Sequence, residues 1–224
     1  MMQKRIVSST GQACIVSILT VGQLETNCYI VAIDGFGYII DPGDDGTYIA
    51  ETVQKMNITP RAILLTHGHF DHALAAFEVG AAFGIPTFVS KFDMPILHRM
   101  QETAQHFLGY TVTDPVPQQV RYFEELKDCM AKWHLQVIHT PGHTPGSVSF
   151  VFDGYPMVFT GDTLFADGLV GDTSHLYGDQ KHLATSLRTL MLLPDETIVF
   201  SGHGKETNIK ETKEKLSKKG FLAR

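Results

Sequence analysis

The segment Thr66-His67-Gly68-His69-Phe70-Asp71-His72 sets four potential metal ligands, His67, His69, Asp71 and His72, within six positions. His67 and His69, two residues apart, share one side of an extended segment, and Asp71 and His72 are expected at the start of a following helix. Two adjacent metal positions can be served at once. Neutral imidazole suits zinc and iron, and an added carboxylate tolerates harder metals, so the set favours zinc, with iron or manganese as alternatives. A lone His or an HxH pair is often structural, whereas HxHxDH is far more specific. His143 in TPGHTPGS, Asp162 in FTGDT and His203 in FSGHG strengthen it, because each closes a short apolar strand. Ligands on strand-end loops of one rim can converge, and two divalent metal ions are the expected cofactors.

These loops need strands to hold them. Residues 62–65 form a continuous apolar run, short enough for a buried strand, that delivers the chain to His67. Residues 14–21, 29–33 and 37–40 read as meandering strands, and 86–89, 135–140, 148–152, 157–160 and 198–200 as further ones, each bounded by Gly, Pro, Asn or Asp. Helical spacing marks 47–56, 73–83, 94–107, 182–192 and 207–218, and 109–119 is a Pro-bearing loop. Strands alternate with helices in both halves. The expected class is α/β (α+β), a four-layer αβ/βα sandwich in which two mixed β-sheets pack together and helices cover them. No internal linker interrupts the pattern, so residues 1–224 are expected to form one domain.

The chain of 224 residues is 43% hydrophobic, with 10 Pro, which supports one sizeable core. Its net charge of −6 offers no basic face for phosphates, and nucleic acid is not an expected partner. Polar Ser8, Ser9 and Thr10 interrupt the N-terminal stretch before an apolar signal region forms, and no apolar run approaches the roughly 20 residues that cross a bilayer. A cytoplasmic protein acting on a small molecule, without a membrane, is the expectation, and oligomeric state is not legible. Cys14, Cys28 and Cys129 are scattered without CxxC spacing, as inert thiols in a reducing compartment would be.

THGHFDH, PGHTPGS, TGDTLF and SGHG, in that order, resemble the metallo-β-lactamase superfamily over residues 24–204. NCYI and IIDPG resemble its N-terminal strands and its structural Asp, here Asp41. Within the superfamily the chain is most similar to compact glyoxalase II-like hydrolases. The resemblance implies a first metal position of His67, His69 and His143, a second of Asp71, His72 and His203, and Asp162 as the bridge. Two cations about 3.5–4 Å apart would lower the pKa of a shared water towards 7 and polarise a substrate carbonyl, which makes a thioester or similar activated ester the natural substrate. Asp71 is the candidate proton acceptor for that water, although ligation lowers its basicity. Class B β-lactamases typically carry Cys at the bridge and lack the His after the Asp, so Asp162 and His72 argue against an antibiotic-hydrolysing role.

Departures from the resemblance bear on substrate. Glyoxalase II grips glutathione with basic residues, one soon after GDTLF and others in a C-terminal helical domain, and no such domain is expected here. Compact relatives carry Gly-Arg after GDTLF, whereas this chain has Gly171-Asp172, and a carboxylate repels a substrate carboxylate. Asp172, His175, Tyr177 and Lys205 are the candidate substrate contacts, each with a plain surface role as the alternative. Three other functions stand beside hydrolysis. One is a mononuclear-iron persulfide dioxygenase using His67, His143 and Asp162; the others are a phosphodiesterase or nuclease and a non-enzymatic metal-binding module.

Overall fold

The computed structural model describes residues 1–126 and 132–219, so Cys129 lies outside the described residues. β-Branched and aromatic runs form β1 (Met2–Val7), β2 (Ala13–Val21), β3 (Thr26–Ile33), β4 (Phe36–Ile40), β5 (Thr59–Leu64), β6 (Thr87–Val89) and β7 (Val120–Tyr122). They make a seven-stranded sheet in chain order. Pairing is antiparallel as far as β4 and parallel beyond it. β8 (Leu135–His139), β9 (Val148–Phe152), β10 (Met157–Gly161), β11 (Ile198–Ser201) and β12 (Thr207–Asn208) form a second, five-stranded sheet in the order β12-β11-β10-β9-β8. Only β10 and β11 pair in parallel there, so both sheets are mixed.

The apolar residues sort into three clusters that define four layers. Val16, Val31, Tyr38 and Leu64 of the first sheet meet Phe150, Phe152, Phe159 and Phe200 of the second. On the outer face of the first sheet, Ile30, Ile39 and Ile63 pack on α1 (Gly46–Lys55), α2 (Ala76–Phe83), α3 (Met94–His98) and α4 (Met100–Leu108) through Ile49, Val79, Leu97 and Ala104. On the outer face of the second, Val158 and Val199 pack on α5 (Gln180–Leu190) and α6 (Ile209–Lys218) through Leu187 and Leu216. The two mixed sheets with flanking helices are the αβ/βα sandwich expected from the sequence.

Three local expectations change. The stretch 94–107 is two helices, because the Arg99 N–H bonds back to Ile96 in a tight turn before α4 begins. Helix α2 begins only at Ala76, since the chain from His69 to Ala75 is taken up by turns. Residues 207–208 pair with β11, and Asn208 then caps α6 by accepting from the Glu211 N–H at 2.9 Å. Strands β4 and β5 run parallel to one another, as do β8, β10 and β11, and every candidate ligand follows one of the last four strand ends. The sheets join at that edge, where Thr26 bridges to His203 and the Val148 N–H donates to the Thr66 carbonyl at 2.8 Å.

Candidate metal centre

Strand β5 ends at Leu64 and the following loop carries His67 and His69. Gly68 between them is required by close approach, since a Cβ there would stand 2.7 Å from the Asp93 carbonyl oxygen. Asp71 and His72 lie in a single 3-10 turn, Phe70–His72, which replaces the expected helix start. Four residues beyond β8 comes His143, directly after β10 comes Asp162, and two residues beyond β11 comes His203. Gly202 lets the last loop close over the site, because a Cβ there would sit 2.7 Å from His72 Cε1.

The seven side chains converge as two overlapping groups. His69 Nδ1 lies 3.0 Å from both His67 Nε2 and His143 Nε2. Three nitrogens around one tetrahedral cation at about 2.05 Å would be separated by about 3.3 Å, so this triad is near ligating geometry. Asp71 Oδ2 lies 3.5 Å from His72 Nε2 and 3.3 Å from His203 Nε2. Asp162 reaches both groups: Oδ1 is 3.4 Å from His72 Nε2, while Oδ2 is 3.7 Å from His143 Nε2 and 3.6 Å from His203 Nε2. His72 Nε2 and Asp162 Oδ1 are buried and without a hydrogen-bond partner. Two such atoms facing each other leave a lone-pair donor and an anion uncompensated, which a cation between them resolves.

Oxygens behind the histidines fix how they face this space. Thr66 Oγ1 donates to Asp41 Oδ2 at 2.6 Å, so its lone pair is left to accept from His67 Nδ1 at 3.0 Å. His72 Nδ1 donates to Asp41 Oδ2 at 2.9 Å, His143 Nδ1 to the Asp172 carbonyl at 2.8 Å and His203 Nδ1 to the Leu24 carbonyl at 2.9 Å. A carbonyl or carboxylate can only accept, so in all four rings Nδ1 carries hydrogen and Nε2 turns to the centre. Such outer partners orient metal-binding imidazoles and raise their basicity. Asp41 holds a left-handed φ of 50° and also accepts from the Thr66 N–H at 2.7 Å, which fits its expected structural role.

The electrostatics match. Burial, with the neighbouring histidines, drives His67 well below the usual histidine range and His69 down to about 3, so both are neutral at physiological pH. Burial opposes charge on Asp71 and Asp162, yet His72 and His203 outweigh it and hold both carboxyls below the carboxylate range. Burial likewise opposes charge on His72, but Asp71, Asp162 and Asp41 raise it well above its ordinary value. The acidic half of the site therefore demands a positive charge, and a proton on His72 is the stand-in for it.

The loop at residues 171–179 stands beside the triad. The His175 ring centroid lies 5.6 Å from those of His69 and His143, and Tyr177 donates or accepts at His69 Nε2 over 2.7 Å. Asp172 builds this loop: its carboxylate accepts from the Ser174 N–H at 2.9 Å and hydroxyl at 2.6 Å, while its carbonyl holds His143. Lys205 is exposed and paired with Asp167 at 3.3 Å. His98, His106, His134, His139 and His182, read as ordinary histidines, are all exposed. Sequence reasoning missed Asp93. It is fully buried, and accepts from the Gly68 N–H at 2.9 Å, the Thr144 hydroxyl at 2.7 Å and the Gly146 N–H at 2.6 Å, tying two ligand loops together. Its only sequence signal was an acid at a helix start, which is commonplace.

Comparison with known proteins agrees with this architecture. The family model for the metallo-beta-lactamase superfamily matches residues 21–203. The hydroxyacylglutathione hydrolase GloC of Haemophilus influenzae is 32% identical over 203 residues, covering 88% of this chain and 94% of that protein. The crystal structure of TTHA1623 in a di-iron-bound form is 35% identical with a TM-score of 0.81, covering 89% of this chain and 98% of its own. That of the BLEG-1 B3 metallo-beta-lactamase is 31% identical with a TM-score of 0.80 and covers 100% of both chains. The fold, the paired His/Asp groups and the di-iron neighbour together imply a dinuclear metal centre. With that centre at the joined edge of its two sheets, the chain belongs to the metallo-β-lactamase superfamily, and is a metallo-hydrolase.

Proposed function

We propose that the protein is a thioester hydrolase of glyoxalase II type, in which His67, His69 and His143 hold one divalent metal, Asp71, His72 and His203 hold a second, and Asp162 spans the two. The observation that carries this reading is the pair of buried, unpartnered atoms His72 Nε2 and Asp162 Oδ1 at 3.4 Å, with the other oxygen of the same carboxylate turned to His143 and His203. The chemistry a bound metal pair supplies is activation of water and polarisation of an acyl carbonyl. Zinc suits the five imidazoles, and iron or manganese suits the carboxylates beside them. Asp71 is kept ionised by His72 and His203, its Oδ2 faces them and accepts from Thr26 Oγ1 at 3.3 Å, and its other oxygen is the candidate to take a proton. His175 and Tyr177, stacked at 5.6 Å and 28°, wall the open side and orient the substrate.

Lys205 is paired with Asp167 and Arg99 makes two 3.0 Å hydrogen bonds to Glu102, so neither is free for glutathione's carboxylates, and Asp172 adds a negative charge. A thioester of a less anionic thiol therefore fits better. The test is a panel sharing one acyl group and differing in the thiol, run on protein of measured metal content. S-lactoylglutathione should show the higher KM and a neutral thiol ester the lower; a kcat/KM for S-lactoylglutathione near the diffusional limit of about 10⁸ M⁻¹s⁻¹ would sink the substrate reading. The likeness to BLEG-1 supports a second reading, a strained cyclic amide, and a β-lactam in the same panel tests it. Oxygen uptake with glutathione persulfide and one iron per chain would point instead to dioxygenation.

A further inference from the structure

Four of the five histidines at the centre have their tautomer dictated from behind, because Thr66, Asp41, Asp172 and Leu24 each offer Nδ1 an acceptor. His69 differs in two ways. It faces the centre through Nδ1, and its outer nitrogen, Nε2, meets the Tyr177 hydroxyl at 2.7 Å, a group that can donate as well as accept. The partner is also not a buried one: Tyr177 is 37% exposed, next to the fully exposed Leu176. His69 Nδ1 stands 3.0 Å from His67 Nε2 and from His143 Nε2, both of which the Thr66 and Asp172 contacts oblige to present lone pairs. Three lone pairs at that spacing repel. Without a cation, His69 therefore keeps its hydrogen on Nδ1, shared with its neighbours, and Tyr177 donates to Nε2. With a cation in the triad, Nδ1 must give up that hydrogen; the imidazole stays neutral by carrying it on Nε2, and the Tyr177 hydroxyl turns over to accept it.

We propose that Tyr177 is a positioning residue for His69, accepting its Nε2 hydrogen in the metal-loaded state, so that the exposed loop at residues 171–179 sets the affinity of one metal position and not the other. The inference rests on the two-position reading of the site but not on any substrate. In the loaded state the hydroxyl's own hydrogen is released from His69 and becomes a donor facing the open side.

The test is zinc binding by Tyr177→Phe, which keeps the ring against His175 and removes only the hydroxyl. Zinc alone is titrated against a chromophoric chelator, with no substrate present. One of the two zinc ions should weaken by about 10–100-fold, the usual consequence of losing an outer partner of a ligating histidine, while the other is unchanged. Leu176→Ala, in the same loop, should bind both ions as the parent does. In ¹⁵N spectra of the zinc-loaded parent, the His69 proton should sit on Nε2. The proposal is overturned if Tyr177→Phe binds both ions normally, weakens both equally, or is matched by Leu176→Ala. Binding of fewer than two zinc ions by the parent protein would instead count against the two-position site.

Discussion

In the proposed site, both halves depend on Asp162. Its carboxylate is held ionised against burial by His72, His203 and His143, and its oxygens face two separate groups of nitrogens. Asp162→Ala should lose at least one metal ion per chain and most hydrolysis, whereas His98→Ala, on an exposed helix end, should keep both. Metal analysis beside turnover checks this, and equal losses from the two changes would contradict it. The ligand candidates were legible because each is a rare residue type placed just after an apolar run. Apart from Asp41, the outer partners were not: a carbonyl such as that of Leu24 or Asp172 is present at every residue, and only the folded chain says which one meets a histidine.

At the level of elements, the loops are held in place by buried polar groups rather than by the strands alone. Asp93 accepts from Gly68, Thr144 and Gly146, and burial pushes its own carboxyl above the usual range despite those three bonds. Asp93→Ala leaves the buried Gly68 and Gly146 N–H groups unpaired, while the Thr144 hydroxyl keeps Ser147 Oγ at 2.7 Å, and each unpaired donor costs about 1–3 kcal/mol. Urea unfolding should show a loss of about 2 kcal/mol or more, with weaker zinc binding because the His67 and His143 loops are no longer tied. Unchanged stability would mean that the loops do not rely on that carboxylate. Gly202→Ala is the complementary case. Its methyl would enter the space of His72 and Asp162, so metal binding should fall sharply while the β11 core, fixed by Val199 and Phe200, stays folded.

Over the whole molecule, the sequence revealed the strands buried on both faces and the edge strand β8, and lost the other three edges, β1, β7 and β12. β3 and β10 are buried nearly throughout, with apolar runs at 28–33 and 157–159, because a middle layer of a four-layer fold has no wet face. β1 and β7 are edge strands with mostly exposed or half-exposed residues, and two-residue β12 is too short to carry a pattern. The break at Arg99 has no Gly or Pro to announce it. Because the site joins the edges of both sheets, ligand binding should stabilise the entire fold. Zinc at 100 times its Kd should add about 2.7 kcal/mol per site, raising Tm by about 5–10 °C for each site filled, over chelator-treated protein, while a Tm indifferent to zinc would mean that the fold does not sense the site.

A zinc-loaded crystal structure with anomalous scattering tests most directly the proposed division of seven side chains between two cations. Two ions should appear, one bound by His67 Nε2, His69 Nδ1 and His143 Nε2 at about 2.0–2.2 Å, the other by Asp71, His72 and His203, with Asp162 shared between them. A fully loaded crystal in which any of His67, His69, His143 or Asp162 points away from the ions would contradict it.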